Sequence, residues 1–366
     1  MAGLPPMDVP GRLPRLREQF DGAGCDSLVV SHLVNIRYLT GFTGSAALLV
    51  VRRSGAALVT DGRYTEQAQS ELAAAGTDAE VLIGRTRTEQ RELVAGAVDG
   101  VRLGLEADHV SWAAQRTYDD EWFPDQELVA TTGIVERLRA VKDDGEVARI
   151  ERACRIADDA LLDVRDLLGS GVTERGFAAR LDQRIRELGA EDISFETIVA
   201  SGPNGSRPHH QPADRVIEHG DLVTIDFGAL VDGYHSDMTR TLAVGGLAAL
   251  DDVQRRLLEV VTEAQAAGVA AVGPEVAVKV VDRACRQVIG DAGWGDHFVH
   301  GTGHGVGLDI HEDPPVSANA DATLAPGHIV TVEPGVYLPG IGGVRVEDTV
   351  VVTAEGCRPL TRAPKS

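Results

Sequence analysis

The chain has 366 residues, 25% of them charged, and its 56 acidic against 35 basic side chains give a net charge of −21. That length is long for one hydrophobic core and comfortable for two domains. The charge repels nucleic acid and anionic membrane, so a nucleic-acid or lipid binder is disfavoured, while a peptide substrate is left open.

In chain order, the first part alternates helix-like and strand-like segments. Leu13 to Ala23 reads as a helix, Ser27 to Ser31, Ala46 to Val51 and Ala56 to Thr60 as strands, Tyr64 to Ala75 and Arg87 to Ala97 as helices, with strand candidates near Val81 and Leu103. These make an α/β domain of modest size, ending in a helical linker near Ile134 to Lys142. Glu146 to Leu168 and Thr173 to Leu188 read as two long helices, with Thr173 as N-cap of the second and Gly189 just past its end. Leu222 to Leu230 and Tyr234 to Val244 are β-branched runs separated by Asp232-Gly233, a favoured hairpin turn. A second helical pair follows at about Asp251 to Ala267 and Pro274 to Ile289, and strands surround it. Strand hairpins carrying acids, covered by helical pairs, make an α+β arrangement around a curved sheet.

Hairpin arithmetic places two acids. With Asp232 and Gly233 as the loop, Val231 faces Tyr234, Gly228 faces Asp237 and Asp226 faces Thr239, so Asp226 and Asp237 project diagonally from one face. Such a pair on an apolar strand surface repels unless a cation intervenes; the alternative is an exposed face with two solvated acids. Three further donors favour the cation. His304 sits among glycines in HGTGHGVGLDIHE, Glu333 follows an apolar run in HIVTVEPGVY, and Glu347 lies in the strand-like GGVRVEDTVVV. Each buried acid needs a partner, and oxygen donors with one imidazole suit a pair of divalent ions. There is no P-loop lysine, no HExxH and no GxSxG elbow, which shifts weight towards hydrolysis by metal-activated water.

The order of these five residues, the PHH segment and the phrases HGTGHGVGLDIHE, EPGVY and VRVED resemble the metallopeptidase family with the pita-bread fold, and within it the proline-specific branch of aminopeptidase P and prolidase. NIRYLTGFTGS and TDGRYTEQA resemble that branch's amino-terminal domain, so the likeness spans nearly the whole chain. It implies an α+β fold: a creatinase/prolidase-like α/β domain over 1–140 and a pita-bread catalytic domain over 141–366. It further implies that Asp226 holds one ion, that Asp237 and Glu347 bridge both, and that His304 and Glu333 hold the other. Manganese is the expected metal, with cobalt and zinc as alternatives.

The same resemblance gives His209, His300, His311 and Arg345 substrate-facing or supporting roles, and lets Glu333 relay a proton. Read alone, His311 beside Glu312 is a surface residue, His300 a structural histidine, and spacing does not separate His209 from His210. Arg345, two residues from Glu347, is expected on the same strand face and paired with a bridging carboxylate. Asn35, Tyr38, Arg63 and Tyr64 are candidates to reach the site, and a homodimer or homotetramer is implied.

The activity so implied is an Xaa-Pro aminopeptidase acting on peptides with proline at the second position; a strict Xaa-Pro dipeptidase is the alternative, and a silent peptide-binding member the third reading. The complete ligand set weighs against silence, and the long first domain against a methionine aminopeptidase. Cys25, Cys154, Cys285 and Cys357 are scattered without a CxxC pair, so no zinc ribbon or disulfide framework is suggested. The amino terminus lacks an apolar run of signal-peptide length and no run approaches a membrane span, so a cytoplasmic location is expected.

Overall fold

The computed structural model describes residues 3–365. The chain divides into two compact units, Met7–Arg139 and a second that runs from Ala140 onward and includes the segment before Met7.

In the first unit, Ser27–Val30 is an inner strand of a six-stranded sheet, and all four residues of SLVV are buried, as a strand covered on both faces requires. It pairs antiparallel with Ala47–Arg52 and parallel with Arg102–Glu106. Ala56–Thr60 and Glu80–Ile83 extend one side, Glu127–Thr131 the other. The helix Arg87–Ala97 has the expected ends, with Thr86 accepting from the Glu89 amide at its start. Leu13 to Ala23 does not form one helix. It divides into Arg12–Arg17 and Phe20–Ala23, because at Gln19 the amide turns to the Leu16 carbonyl three residues back, breaking the i−4 ladder.

The second unit is built from antiparallel strands and two helical pairs. Ile198–Ser201, Leu222–Phe227 and Met238–Ala243 form one sheet, with Asp144–Val164 and Glu174–Glu187 packed on it around Phe177, Leu181, Ile225 and Phe227. A five-stranded sheet orders Glu312–Val316, Gly303–Gly305, Ile329–Val332, Asp348–Thr353 and Gly356–Pro359. Asp252–Ala271 and Val278–Asp291 pack against it around Val261, Val281, Val330 and Val350. Thr173 caps its helix by accepting from the Gly176 amide, as the sequence predicts.

The hairpin has the predicted register: Val231 pairs with Tyr234 and Asp226 with Thr239. Its turn residues Asp232 and Gly233 both have positive φ, 50° and 74°, the backbone that an Asp-Gly turn supplies. The ladder opens midway. The Ala229 amide donates to the Ser236 hydroxyl, and a Cβ at residue 228 would lie 1.9 Å from the Ser236 carbonyl, so only glycine permits the approach. Below the opening the strands join the first sheet; above it, Ala229–Val231 and Tyr234–His235 pair with Asp192–Ile193. Asp237 sits on that bend, turned inward.

Candidate metal centre

Each of the five donors is delivered by a strand or by the break in one. Asp226 lies in Leu222–Phe227 and Asp237 immediately before Met238–Ala243. His304 is the middle of Gly303–Gly305; a Cβ at 303 would meet the Thr331 carbonyl at 2.1 Å and one at 305 the Asp313 carbonyl at 2.3 Å, so the flanking glycines let three strands close on the imidazole. Glu333 follows Ile329–Val332, its amide held by the Thr302 carbonyl at 2.8 Å. Glu347 lies between Gly342–Arg345 and Asp348–Thr353, its amide held by the Thr239 carbonyl at 3.1 Å.

All five line one cavity of about 300 Å³, together with His209, His300, His311 and Arg345 and an apolar wall of Phe195, Ile198, Pro208 and Ile310. Asp237, His304 and Glu347 each offer an atom within 4.8 Å of the others. The His304 Nδ1–H donates to the Gly305 carbonyl at 2.9 Å, so in the neutral ring Nε2 carries a lone pair. That lone pair faces Asp237 Oδ2 and Glu333 Oε1, each at 3.5 Å. Burial holds the imidazole down at about 4, and it is therefore neutral at pH 7.

The acids oppose one another. Burial first, then the negative charges of Glu347, Asp226 and Glu333, push Asp237 well above the ordinary carboxylate range. Glu347 is raised by burial and by Glu333 and Asp226. Burial pushes Glu333 to about 8, against the pull of Arg345. Arg345 is the one guanidinium on the lining, and it is committed: Nη2 to Asp226 Oδ2 at 2.5 Å, Nη1 to Tyr337 Oη at 2.9 Å and the Pro208 carbonyl at 3.2 Å, Nε to Thr239 Oγ1 at 3.1 Å. Its carboxylate partner is Asp226, and neither Asp237 nor Glu347 is paired with it. Arg345 and Glu347 do face the same cavity, as their two-residue spacing predicts, with Val344 and Val346 in the core at the alternate positions; what differs is the partner.

Two carboxylate oxygens, Asp226 Oδ1 and Glu347 Oε1, are buried without any hydrogen-bond donor. Buried acceptors are otherwise almost always satisfied. Repelling acids, two orphaned oxygens and an imidazole lone pair aimed among them fit divalent cations, and oxygen-rich ligation with one nitrogen is the donor set of a dinuclear hydrolytic centre.

The neighbouring histidines differ in freedom. His300 donates through Nδ1 to the Gly301 carbonyl at 2.7 Å and accepts through Nε2 from Tyr337 Oη at 2.9 Å, so contact with substrate requires displacing Tyr337. Burial lowers it to about 4. His311 is exposed and meets the His304 ring edge-on, centroids 4.3 Å apart. His209 is exposed on the cavity, whereas His210 is buried and donates to Glu174 at 2.8 Å, a difference invisible in the bare PHH spacing. Sequence reasoning missed Tyr337, Thr239 and Thr331. Thr239 donates to Glu347 Oε2 at 2.7 Å; Thr331 accepts from the His304 amide and donates to Glu333. The available signal was polar residues within strands that otherwise read as buried.

None of Asn35, Tyr38, Arg63 and Tyr64 lines the cavity. Asn35 donates to Glu106 and Glu136 and accepts from Arg139, Tyr38 donates to the Leu138 carbonyl, Arg63 pairs with Asp61, and Tyr64 bonds Ser45. His32, His109 and Glu136 form a second group of metal-capable side chains in the first unit. The two rings there stack at 3.7 Å with 11° between their planes. Rings stacked nearly parallel aim their in-plane lone pairs side by side and not at one shared point between them, so the arrangement is a histidine stack beside a carboxylate.

Residues 148–354 match metallopeptidase family M24 and residues 12–141 match the creatinase/prolidase amino-terminal domain. An uncharacterised peptidase of Bacillus subtilis is 41% identical over 97% of this chain and 98% of its own length. Among solved structures, the Xaa-Pro dipeptidase from Bacillus anthracis superposes with a TM-score of 0.92 at 37% identity, covering 98% of this chain and 99% of that one. The X-Pro aminopeptidase from Thermotoga maritima does so at 0.86 and 33%, covering 95% and 99%. The chain belongs to metallopeptidase family M24, in its proline-specific branch with the pita-bread fold. It is a hydrolase of a family that works with divalent ions, and no helix among the described residues is long and apolar enough to cross a membrane.

Proposed function

We propose that the chain is an Xaa-Pro aminopeptidase, releasing the residue that precedes a penultimate proline, with Asp226, Asp237, His304, Glu333 and Glu347 holding two divalent ions. The observation that carries this reading is the pair of orphaned carboxylate oxygens on Asp226 and Glu347 inside a cavity of mutually repelling acids. Asp237 and Glu347 are assigned as bridges, Asp226 to one ion, His304 and Glu333 to the other, and manganese as the native metal. Bound there, two such ions supply an acidified water at neutral pH and a Lewis acid for the scissile carbonyl.

The chain's own groups do the rest. Glu333 takes the proton of the attacking water and delivers it to the leaving proline nitrogen. His311 and His209 donate towards the carbonyl oxygen and the peptide from the open side of the cavity. Arg345 fixes Asp226 and Tyr337, and Tyr337 fixes His300. An X–Pro bond is a tertiary amide with no N–H and a fixed φ of about −65°, so a site for it needs shape and an apolar wall rather than a partner for an amide hydrogen. Phe195, Ile198, Pro208 and Ile310 offer such a wall.

A strict dipeptidase is the second reading, since similar proteins carry that name. An Xaa-Pro dipeptide presents its free carboxylate one residue past the scissile bond, and binding it calls for a cation. The lining has no lysine, and its one arginine already makes four hydrogen bonds, one of them to Asp226. That favours longer peptides. The test is kcat/KM of the manganese-loaded protein on an Xaa-Pro dipeptide, an Xaa-Pro-Xaa tripeptide and a tripeptide without proline. The tripeptide with proline is expected to be cut fastest. Turnover of the dipeptide alone would move the assignment to the dipeptidase, and cleavage of only the proline-free peptide would retire the specificity.

A further inference from the structure

Glu174 stands at the first position of the helix Glu174–Glu187, where an acid ordinarily faces water and the helix dipole. Here it is 0% exposed. Its Oε1 accepts from the Ser201 amide and hydroxyl, both at 2.7 Å, and from Asn204 Nδ2 at 3.0 Å. Its Oε2 accepts from His210 Nε2 at 2.8 Å, the Ala213 amide at 3.0 Å and Asn204 Nδ2 at 3.1 Å. The donors all come from residues 201–213, and the last of them closes the segment back onto the carboxylate from which the first departs.

That segment reaches the cavity at its middle. Pro208 and His209 line it, and the Pro208 carbonyl accepts from Arg345. On its other side the segment presses on the strand Gly342–Arg345: a Cβ at 205 would lie 2.9 Å from the Gly343 amide, and one at 343 would lie 2.1 Å from the Gly205 carbonyl. Arg215 adds a tie at the base, bonding Ser201 Oγ at 2.6 Å and Asp221 at 2.5 Å. The segment itself holds little regular structure, one 3₁₀ turn at Gly202–Ser206, so its shape is set by what grips it.

We propose that Glu174 is a positioning residue for the reaction: its buried carboxylate, with His210, clamps residues 201–213 and so fixes His209 and the Pro208 carbonyl at the cavity. The inference rests on the reading that His209 contacts the peptide. Glu174→Gln keeps the size but replaces one accepting oxygen with an NH₂ facing donors, and His210→Ala removes a single donor while leaving the carboxylate in place.

The test has two readouts on the full manganese-loaded chain. In amide hydrogen exchange, Glu174→Gln is expected to speed exchange over 201–213 by about 10- to 100-fold, the scale of losing hydrogen bonds to a charged group, with the helix Asp252–Ala271 and the bound-metal count unchanged. His210→Ala is expected to do the same more weakly. In kinetics, each variant lowers kcat/KM, and Glu174→Gln costs less on top of His209→Ala than it does alone, since the two losses share the His209 route. Unchanged exchange over 201–213, or losses that multiply in the double variant, overturns the clamp. Wild-type turnover by His209→Ala alone overturns the substrate role of His209, and the exchange result still decides whether Glu174 holds the segment.

Discussion

Glu174 and Glu347 lie in the same unit, 0% and 1% exposed, and each is the centre of a cluster of polar groups. Around Glu174 the chain supplies hydrogen-bond donors to both oxygens, and although burial raises the carboxyl, hydrogen bonds from Asn204, Ser201 and His210 bring it below its ordinary value. Around Glu347 it supplies one donor, Thr239, and three more acids; burial and their charges drive the carboxyl up and one oxygen is left bare. A protein can solvate a buried carboxylate with its own dipoles when the role is structural. Where it leaves the charge uncompensated, the missing partner comes from outside, and here that partner is cationic.

Replacing Asp237 by alanine is expected to have the largest effect. It removes a proposed shared ligand, so kcat/KM should fall by more than the ~100-fold typical of losing a supporting contact, together with loss of bound metal by elemental analysis. Retained metal and turnover would place the ions elsewhere. Arg345→Lys comes next: a lysine cannot reproduce the fork that holds Asp226, Tyr337, Thr239 and Pro208, so kcat/KM should drop by about 10- to 100-fold with the metal count nearly preserved.

The metal-free chain gives a smaller and opposite signal in pH. Glu333 keeps its proton up to about 8 when folded and only to its ordinary carboxylate value when unfolded, so between those values the folded chain binds the extra proton. Above about pH 6.5, where His300, His304 and His328, held down to about 4 by burial, are neutral in both states, stability should therefore fall as pH rises, by at most about 1.4 kcal/mol per unit for one such group, with Asp237 and Glu347 pulling the same way. Manganese should reverse the trend, since ligation needs the deprotonated forms. Thermal melts from about pH 6.5 to 8 with and without metal check this, and parallel curves would contradict it. The smallest effect belongs to Asp214→Ala, one residue beyond the clamp. Its ion pair with Arg175 is exposed on both sides, and neither melting temperature nor kcat/KM should change measurably.

Much of this was legible in the sequence where local rules govern. The hairpin register, the Thr173 cap and the helix Arg87–Ala97 follow from turn chemistry, capping and periodicity within a few residues. Local rules failed where distant segments decide. The helix Leu33–Thr40 is not evident in the sequence because its β-branched and aromatic residues give weak helical preference, and it is held by contact with the strands Ser27–Val30 and Ala47–Arg52. Arg345 faces the cavity as alternation predicts, but its carboxylate partner is Asp226, 119 residues away, which no local rule supplies. His209 and His210 are neighbours with opposite fates, and only the position of Glu174 separates them. The donors' order and flanking glycines revealed the candidate site; which oxygens are left bare did not show until the strands met.

The central claim is that the bare oxygens of Asp226 and Glu347 face divalent ions. Anomalous scattering from crystals of the full chain grown with manganese tests it most directly. The account predicts two peaks among Asp226, Asp237, His304, Glu333 and Glu347; an absence of peaks there at saturating manganese, with the acids protonated or paired to one another instead, would contradict it.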